Sequence, residues 1–448
     1  LFVKLKNRLF MATMLGMLIS SVHATEDTSR SPMPARLTLG QALMMLEESR
    51  HPELERARAE IDRAEAEQLA AQADTGLDVR IIGRLQQVQP NDIAPDQSHG
   101  DSSISLLASK PLYDFGRSEA QTTAAEARYR AEQSAFIDAR NAQRIEVMQR
   151  FFDIILADHE FLRDNEDMAS RFVRMDKARD RNELGQVSDV EVLRLETIYQ
   201  EARLNRYRSE NRQRATRARL AIALNRPDEL PGDVVRPELT SVKREVLEDI
   251  QTLQKLALQN NPVILAARAQ VESSLASVAV AKAGDNPVLS AEAELSGYER
   301  KFGSRDDARV GLKLEVPLFS GGRNDADIAR SRAELRNARA ELTAAEAVVQ
   351  GSVLDTALEI RALRAQLDQV RVQRNWSELN LDLRRSEYEL EKQATLGDAM
   401  IEIARAELFA AQTEFQLALA WARLDALLGK TVFDTAAPQP SQPTTDNR

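Results

Sequence analysis

The chain has 448 residues, 29% of them charged, with a formal net charge of −10 and no cysteine. Zero cysteine excludes disulfides, thiolate metal sites and thiol catalysis. The acidic balance speaks against nucleic acid as a partner, and only 17 Gly and 15 Pro suit long helices.

The first element is an address. Lys4, Lys6 and Arg8 precede the apolar stretch Leu9 to Val22, and Val22-His23-Ala24 follows as a small-x-small cleavage site. Residues 1–24 therefore read as a secretory signal peptide, too short to span a bilayer as a helix. Losing those three cations leaves the exported part more acidic still. No later run reaches 18 consecutive apolar residues, so no transmembrane helix is expected.

The remainder is a duplication. His51-Pro52 returns as Asn261-Pro262. Pro111-Leu112-Tyr113-Asp114-Phe115-Gly116-Arg117 returns as Pro317-Leu318-Phe319-Ser320-Gly321-Gly322-Arg323. Glu191-Val192-Leu193-Arg194 returns as Glu402-Ile403-Ala404-Arg405. Three anchors in one order at nearly one offset define two repeats, residues 25–230 and 231–435. They meet in a linker around Pro227, Pro231 and Pro237, and a Pro, Gln and Thr rich tail, 436–448, reads as disordered.

Each repeat opens with a helical region, about 40–75 and 246–283, broken or restarted at its proline. Two alternating segments follow, about 77–88 and 102–112, then about 288–300 and 309–319. Val310, Leu312, Leu314, Val316 and Leu318 alternate with Arg309, Gly311, Lys313 and Glu315. Aliphatics on one face and charges on the other, over enough residues to cross a bilayer at a tilt, are the pattern of a membrane barrel strand.

Long helices come next. Arg117 to Leu184 holds neither Gly nor Pro, and Arg323 to Leu396 holds only Gly351, so each would run roughly 100 Å. Helices of that length need lateral partners, and Ile145, Met148, Phe152, Ile155 and Leu162 supply a seam, with His159 at its skipped position. Leu184-Gly185 and Leu396-Gly397 punctuate the ends, and shorter helices return over about 188–224 and 398–428. Four strands cannot close a barrel and open edges do not survive in lipid, so strands must be pooled among copies of the chain.

Nothing in the sequence supports catalysis, a cofactor or a bound metal. There is no phosphate loop, nucleophile elbow or His-Glu-x-x-His, and the four His are dispersed.

In this order, duplicated, these residues resemble the TolC-type outer-membrane efflux and secretion channels. The carriers are Leu37-Thr38-Leu39 with Gln41-Ala42-Leu43, Asn261-Pro262, the two Pro-to-Arg corners and the two Leu-Gly turns. The resemblance implies a fold that is mainly α with membrane β: a homotrimer whose twelve-stranded β-barrel continues into a periplasmic α-helical barrel. It implies a passive export duct in the outer membrane of a Gram-negative bacterium, with a long periplasmic portion. Implied partners are outer-membrane lipid, a periplasmic adaptor (membrane fusion protein) and an inner-membrane pump, proton-driven or of ABC type. The alternative is a periplasmic coiled-coil adaptor or scaffold.

The sites follow from that resemblance. Pro111, Gly116, Arg117, Pro317, Gly321, Gly322 and Arg323 form the strand-to-helix corners, with each proline expected to end strand pairing. Gly185 and Gly397 mark the helical-tip turns. Glu191, Glu402 and Arg405 belong to the entrance gate, where Glu402 matches an acidic family position. The second acidic position of the family is Arg405 here, and the family's tethers find no match near Ala394 and Ala399.

Overall fold

The computed structural model describes residues 32–432 apart from 92, 94–95, 240–243, 245–246, 301–304 and 390–395. The signal peptide, the tail 436–448 and Phe302 of the second strand loop lie outside the described residues.

The element order repeats. The first repeat runs β1 (Arg36–Leu37), α1 (Leu39–Glu48), α2 (Pro52–Ala73), β2 (Asp78–Arg84), β3 (Ser103–Tyr113), α3 (Arg117–Glu183) and α4 (Asp189–Ala223). The second runs β4 (Asp233–Val234), α5 (Ile250–Asn260), α6 (Pro262–Lys282), β5 (Val288–Tyr298), β6 (Ala308–Glu315), α7 (Arg323–Glu389) and α8 (Leu396–Leu427). A short 3-10 turn, Ala283–Asp285, extends α6.

Local chemistry sets the boundaries. Thr38 and Gln41 form a reciprocal capping box at the start of α1. Pro52 and Pro262 each occupy a first-turn position, where a missing N–H costs nothing. The preceding residue caps the turn: the His51 Nδ1 accepts from the Glu53 amide at 3.3 Å, and the Asn261 Oδ1 accepts from Val263 and Ile264 at 3.0 and 3.3 Å.

Helices α3 and α7 have 67 residues each. Helix α6 packs against both. With its 3-10 extension, Pro262–Asp285, α6 is long and apolar enough to cross a membrane by length and composition. This departs from the sequence expectation, which counted only unbroken apolar runs. The packing explains its composition: alanines and serines let α6 lie close to α3, and the Ser273 hydroxyl donates to the Ala124 carbonyl at 2.9 Å.

Two cores occupy the middle of the long helices. One gathers Leu37, Leu39, Leu43 and Leu46 with Phe151, Phe152, Leu220 and Phe415. The other gathers Leu253, Ile264, Val353, Ile360, Trp421 and Leu424. Each fully buried aliphatic or aromatic side chain contributes about 1.5–3 kcal/mol. The expected seam is only partly internal: Met148, Phe152 and Ile155 are buried, whereas Leu162 is 55% exposed. A link absent from the sequence reading joins β1 to β4 in a two-residue parallel ladder, pinning the segment before α1 to the inter-repeat linker.

The strands of both repeats merge into one antiparallel sheet of order β2-β3-β5-β6. They are mostly shorter than the periodicity suggests. Strand β6 stops at Glu315, before Pro317. Strand β3 runs through Pro111, which corrects the expectation that this proline ends pairing. Pro111 faces Ser290, Tyr113 faces Leu289, and the register shift at Leu112 absorbs the imino residue.

Candidate functional site

The register sorts the sheet's two faces. Val79 and Ile81 on β2, Ile104 and Leu106 on β3, Leu295 on β5, and Val310, Leu312 and Leu314 on β6 share one face, and all of these side chains are exposed. The opposite face carries Arg80, Ser105, Glu294, Ser296, Arg309 and Lys313. There the Ser105 and Ser296 hydroxyls lie 2.7 Å apart. Among the described residues, strands β2 and β6 each leave one edge unpaired.

At the sheet's end the backbone turns into the long helices through paired left-handed residues. Phe115 and Gly116 have φ of 57° and 87°, and Gly321 and Gly322 have φ of 64° and 81°. The glycines adopt this region without steric cost. Phe115 does so as a bulky residue, with its ring against Tyr113 at 4.7 Å. Asp114 is a cap that sequence reasoning missed. Its carboxylate accepts from the Ser118 amide at 2.8 Å and from the Ser118 hydroxyl. Burial opposes its charge, yet the hydrogen bonds from Ser118 and from the Gly116 and Arg117 amides hold the carboxyl below its usual range. Arg117 and Arg323 open the two helices as exposed cations.

At the opposite ends of the helices, Gly185 (φ 72°) closes α3 in a Schellman turn. The Gly185 amide donates to the Asn182 carbonyl and the Gln186 amide to the Arg181 carbonyl, both at 2.8 Å. Ser188 caps α4 through the Glu191 amide. Gly397 does not repeat this role. It lies in the first turn of α8, and the break between α7 and α8 falls at residues 390–395, outside the described residues. A Cβ at Gly397 would meet the Ser170 hydroxyl at 2.8 Å. This glycine therefore admits close approach of α8 to α3.

The three acidic and basic tip residues pair within their own helices. The Arg405 guanidinium donates to Glu402 at 2.8 Å. The Arg194 guanidinium donates to Glu191 at 2.6 and 2.8 Å, and that bond holds the Glu191 carboxyl below its usual range. Beside them is a contact without sequence warning: Arg174 of α3 donates to Asp398 in the first turn of α8. Its partners are 224 residues apart, so no local spacing announces it.

Among the described residues, no group of three or more His, Asp or Glu is arranged to hold a metal ion.

Residues 253–430 match the family model described as outer membrane efflux protein. The chain is 27% identical to Protein CyaE of Bordetella pertussis over 295 residues, which is 63% of this chain and 60% of that protein's length. It is 26% identical to Outer membrane protein OprJ of Pseudomonas aeruginosa over 348 residues, 74% of this chain and 71% of OprJ. The fold matches the crystal structure of the Campylobacter jejuni CmeC outer membrane channel with a TM-score of 0.73 at 13% identity, covering 93% of this chain and 92% of the other.

Proposed function

We propose that this chain is a member of the outer membrane efflux protein family, as the match over residues 253–430 and the likeness to CyaE and OprJ support, and that it is the passive outer-membrane duct of a tripartite efflux or type I secretion system. The observation that carries the reading is the four-stranded sheet with one largely apolar face, whose aliphatic side chains on β2, β3 and β6 are exposed, and two open edges among the described residues. Such a sheet is stable in lipid only when its edges are paired and that face meets hydrocarbon. Successive strands run antiparallel, so β6 of one copy and β2 of the next run in opposite directions. Three copies then close a twelve-stranded barrel without breaking the pattern, each chain contributing its two repeats.

The helices support the same assembly. Along α7, Val372, Trp376, Leu379 and Leu383 are exposed at steps of four, three and four. Among the described residues this heptad seam is left uncovered, and a neighbouring copy supplies its partner in a helical barrel on the periplasmic side. Arg117 and Arg323 sit at helix N-termini, where a cation opposes the helix dipole by about 0.3–1 kcal/mol. Anionic lipid headgroups at the inner membrane surface compensate it.

The tips form the entrance. Leu184, Val190 and Leu193 are exposed there and offer an apolar surface to a periplasmic adaptor, which delivers cargo from an inner-membrane pump. Glu191, Glu402 and Arg405 line the mouth, with the arginine moderating its acidity. The tie between Arg174 and Asp398 takes the place of the unmatched family tethers.

Fractionation tests the reading. An outer-membrane trimer that dissociates on heating in detergent is the expected result. A soluble periplasmic monomer would favour the adaptor or scaffold alternative instead.

A further inference from the structure

We infer that the polar face of the sheet is a charge-compensated wall, and that Lys313 and Arg309 keep the strand section of the duct from sorting cargo by sign of charge. This rests on the proposed barrel, in which that face lines the lumen.

The charged side chains of this face are arranged as pairs. Arg309 of β6 meets Glu294 of β5 at 3.4 Å. Lys313 lies between Glu292 at 3.8 Å and Glu315 at 3.1 Å. Arg80 of β2 meets Asp78 at 2.7 Å. Arg84, on the same face four residues beyond Arg80 toward the loops, adds a fourth cation, whose charge acts on Glu294. Cations and carboxylates on the face are therefore equal in number, in a chain whose overall balance is −10. Apart from these, the face presents hydroxyls and apolar groups, among them Ser103, Ser105, Leu107 and Ser296.

Balance matters more here than pair strength. These pairs are solvent-exposed, so each contributes little to stability. Each of the carboxylates Glu292, Glu294 and Glu315 nevertheless has a cation within 3.8 Å, inside the Debye length of about 8 Å at physiological salt. A pore selects by sign when like charges form a ring at one level. Here Glu294 faces Arg309 directly and Lys313 bridges Glu292 and Glu315, so three copies make rings of ion pairs instead of rings of like charge. The strand section then discriminates by width and accepts solutes of either sign.

Lys313 has the greatest leverage, because its loss leaves Glu292 and Glu315 together without a counter-charge. The test uses the full-length protein in planar bilayers under a potassium chloride gradient, reading the reversal potential relative to wild type. Lys313→Gln and, independently, Arg309→Gln are expected to shift it toward the potassium equilibrium potential. Lys313→Gln combined with Glu292→Gln is expected to shift it back toward wild type. A heat-dissociable trimer on gels checks that each variant assembles. If wild type conducts and both single variants keep its reversal potential, or the double variant fails to return, the compensated wall is wrong. If wild-type trimer forms no conducting channel at all, the duct reading itself fails, and this inference with it.

Discussion

Arg174, near the end of α3, donates to Asp398 in the first turn of α8, tying the first repeat's hairpin to the second's return helix. Asp398 also sits at a helix N-terminus, where the dipole favours a carboxylate. The two side chains are 37% and 43% exposed, so the pair contributes about 0.2–1 kcal/mol at most to stability. Its consequence is positional. Arg174→Ala and Asp398→Ala should leave the melting temperature nearly unchanged while lengthening open times or raising single-channel conductance. The double variant should gain little over either single one. Conductance traces indistinguishable from wild type in both single variants would remove the tie from gating.

The pairing of Glu402 with Arg405 reverses a simple expectation about the mouth. A free ring of carboxylates would favour cations strongly, but each Glu402 already accepts from Arg405 at 2.8 Å. Arg405→Ala should therefore increase cation preference in planar bilayers, and Glu402→Ala should move it toward anions. Two variants shifting the same way, or neither shifting, would place these residues on a solvated helix face away from the mouth.

The loops at the far end of the sheet are clamped across the repeats. The Arg305 guanidinium donates to Asp101 at 2.7 and 3.3 Å and stacks over Tyr298. Arg305's hydrogen bond lowers the Asp101 pKa, and burial opposes it more weakly. A carboxyl depressed in the folded state stabilises above its unfolded value and loses that contribution as pH falls through the folded value. The clamp should thus hold at neutral and mildly acidic pH and release only below the ordinary aspartate value of 3.8. Asp101→Asn should release it at neutral pH. Hydrogen exchange of the loop amides measures this; equal protection in variant and wild type at pH 7 would contradict it.

One stacked pair couples the repeats in the core. Phe152 of α3 and Phe415 of α8 lie with centroids 4.4 Å apart and planes 3° from parallel, both buried. Phe415→Ala removes a large side chain from a site with little room to collapse and should cost about 3–5 kcal/mol. Thermal unfolding should fall accordingly, and trimer yield with it. A loss below 1 kcal/mol would mean that the cavity is refilled by neighbours such as Leu419 or Met148.

What was legible in the sequence is what repeats locally. The alternation at Arg309–Glu315, the absence of Gly and Pro from Arg117 to Leu184, and the caps before Pro52 and Pro262 depend on neighbours within a few positions. Their elements appear close to where spacing puts them. Gly185 was readable because a Schellman turn is a local object. The close approach of Gly397 to Ser170 was not readable, because that contact lies on another helix. Pro111 was misread because a bulge against β5 absorbs it, and the partner strand comes from the other repeat. The tie of Arg174 to Asp398 belongs to the same class: contacts between repeats carry no period, so no single-chain pattern marks them.

The glycines supply a test with opposite signs in one protein. Gly116 and Gly322 hold φ of 87° and 81° with open space around a prospective Cβ, so Ala there meets no atom and pays only for the left-handed backbone. That cost is about 1–2 kcal/mol. Gly351 lies inside α7, also with nothing near a prospective Cβ, but in helical conformation. Ala there removes unfolded-chain freedom and should stabilise by about 0.5–1 kcal/mol. Gly116→Ala and Gly322→Ala should therefore lower the melting temperature and the yield of assembled trimer, and Gly351→Ala should raise the former. Because the sheet enters the long helices only through Phe115-Gly116 and Gly321-Gly322, the corner variants should also misdirect the strands and reduce membrane insertion. Corner variants that melt and insert like wild type would show that the bend is imposed by the sheet and the helices on either side of it.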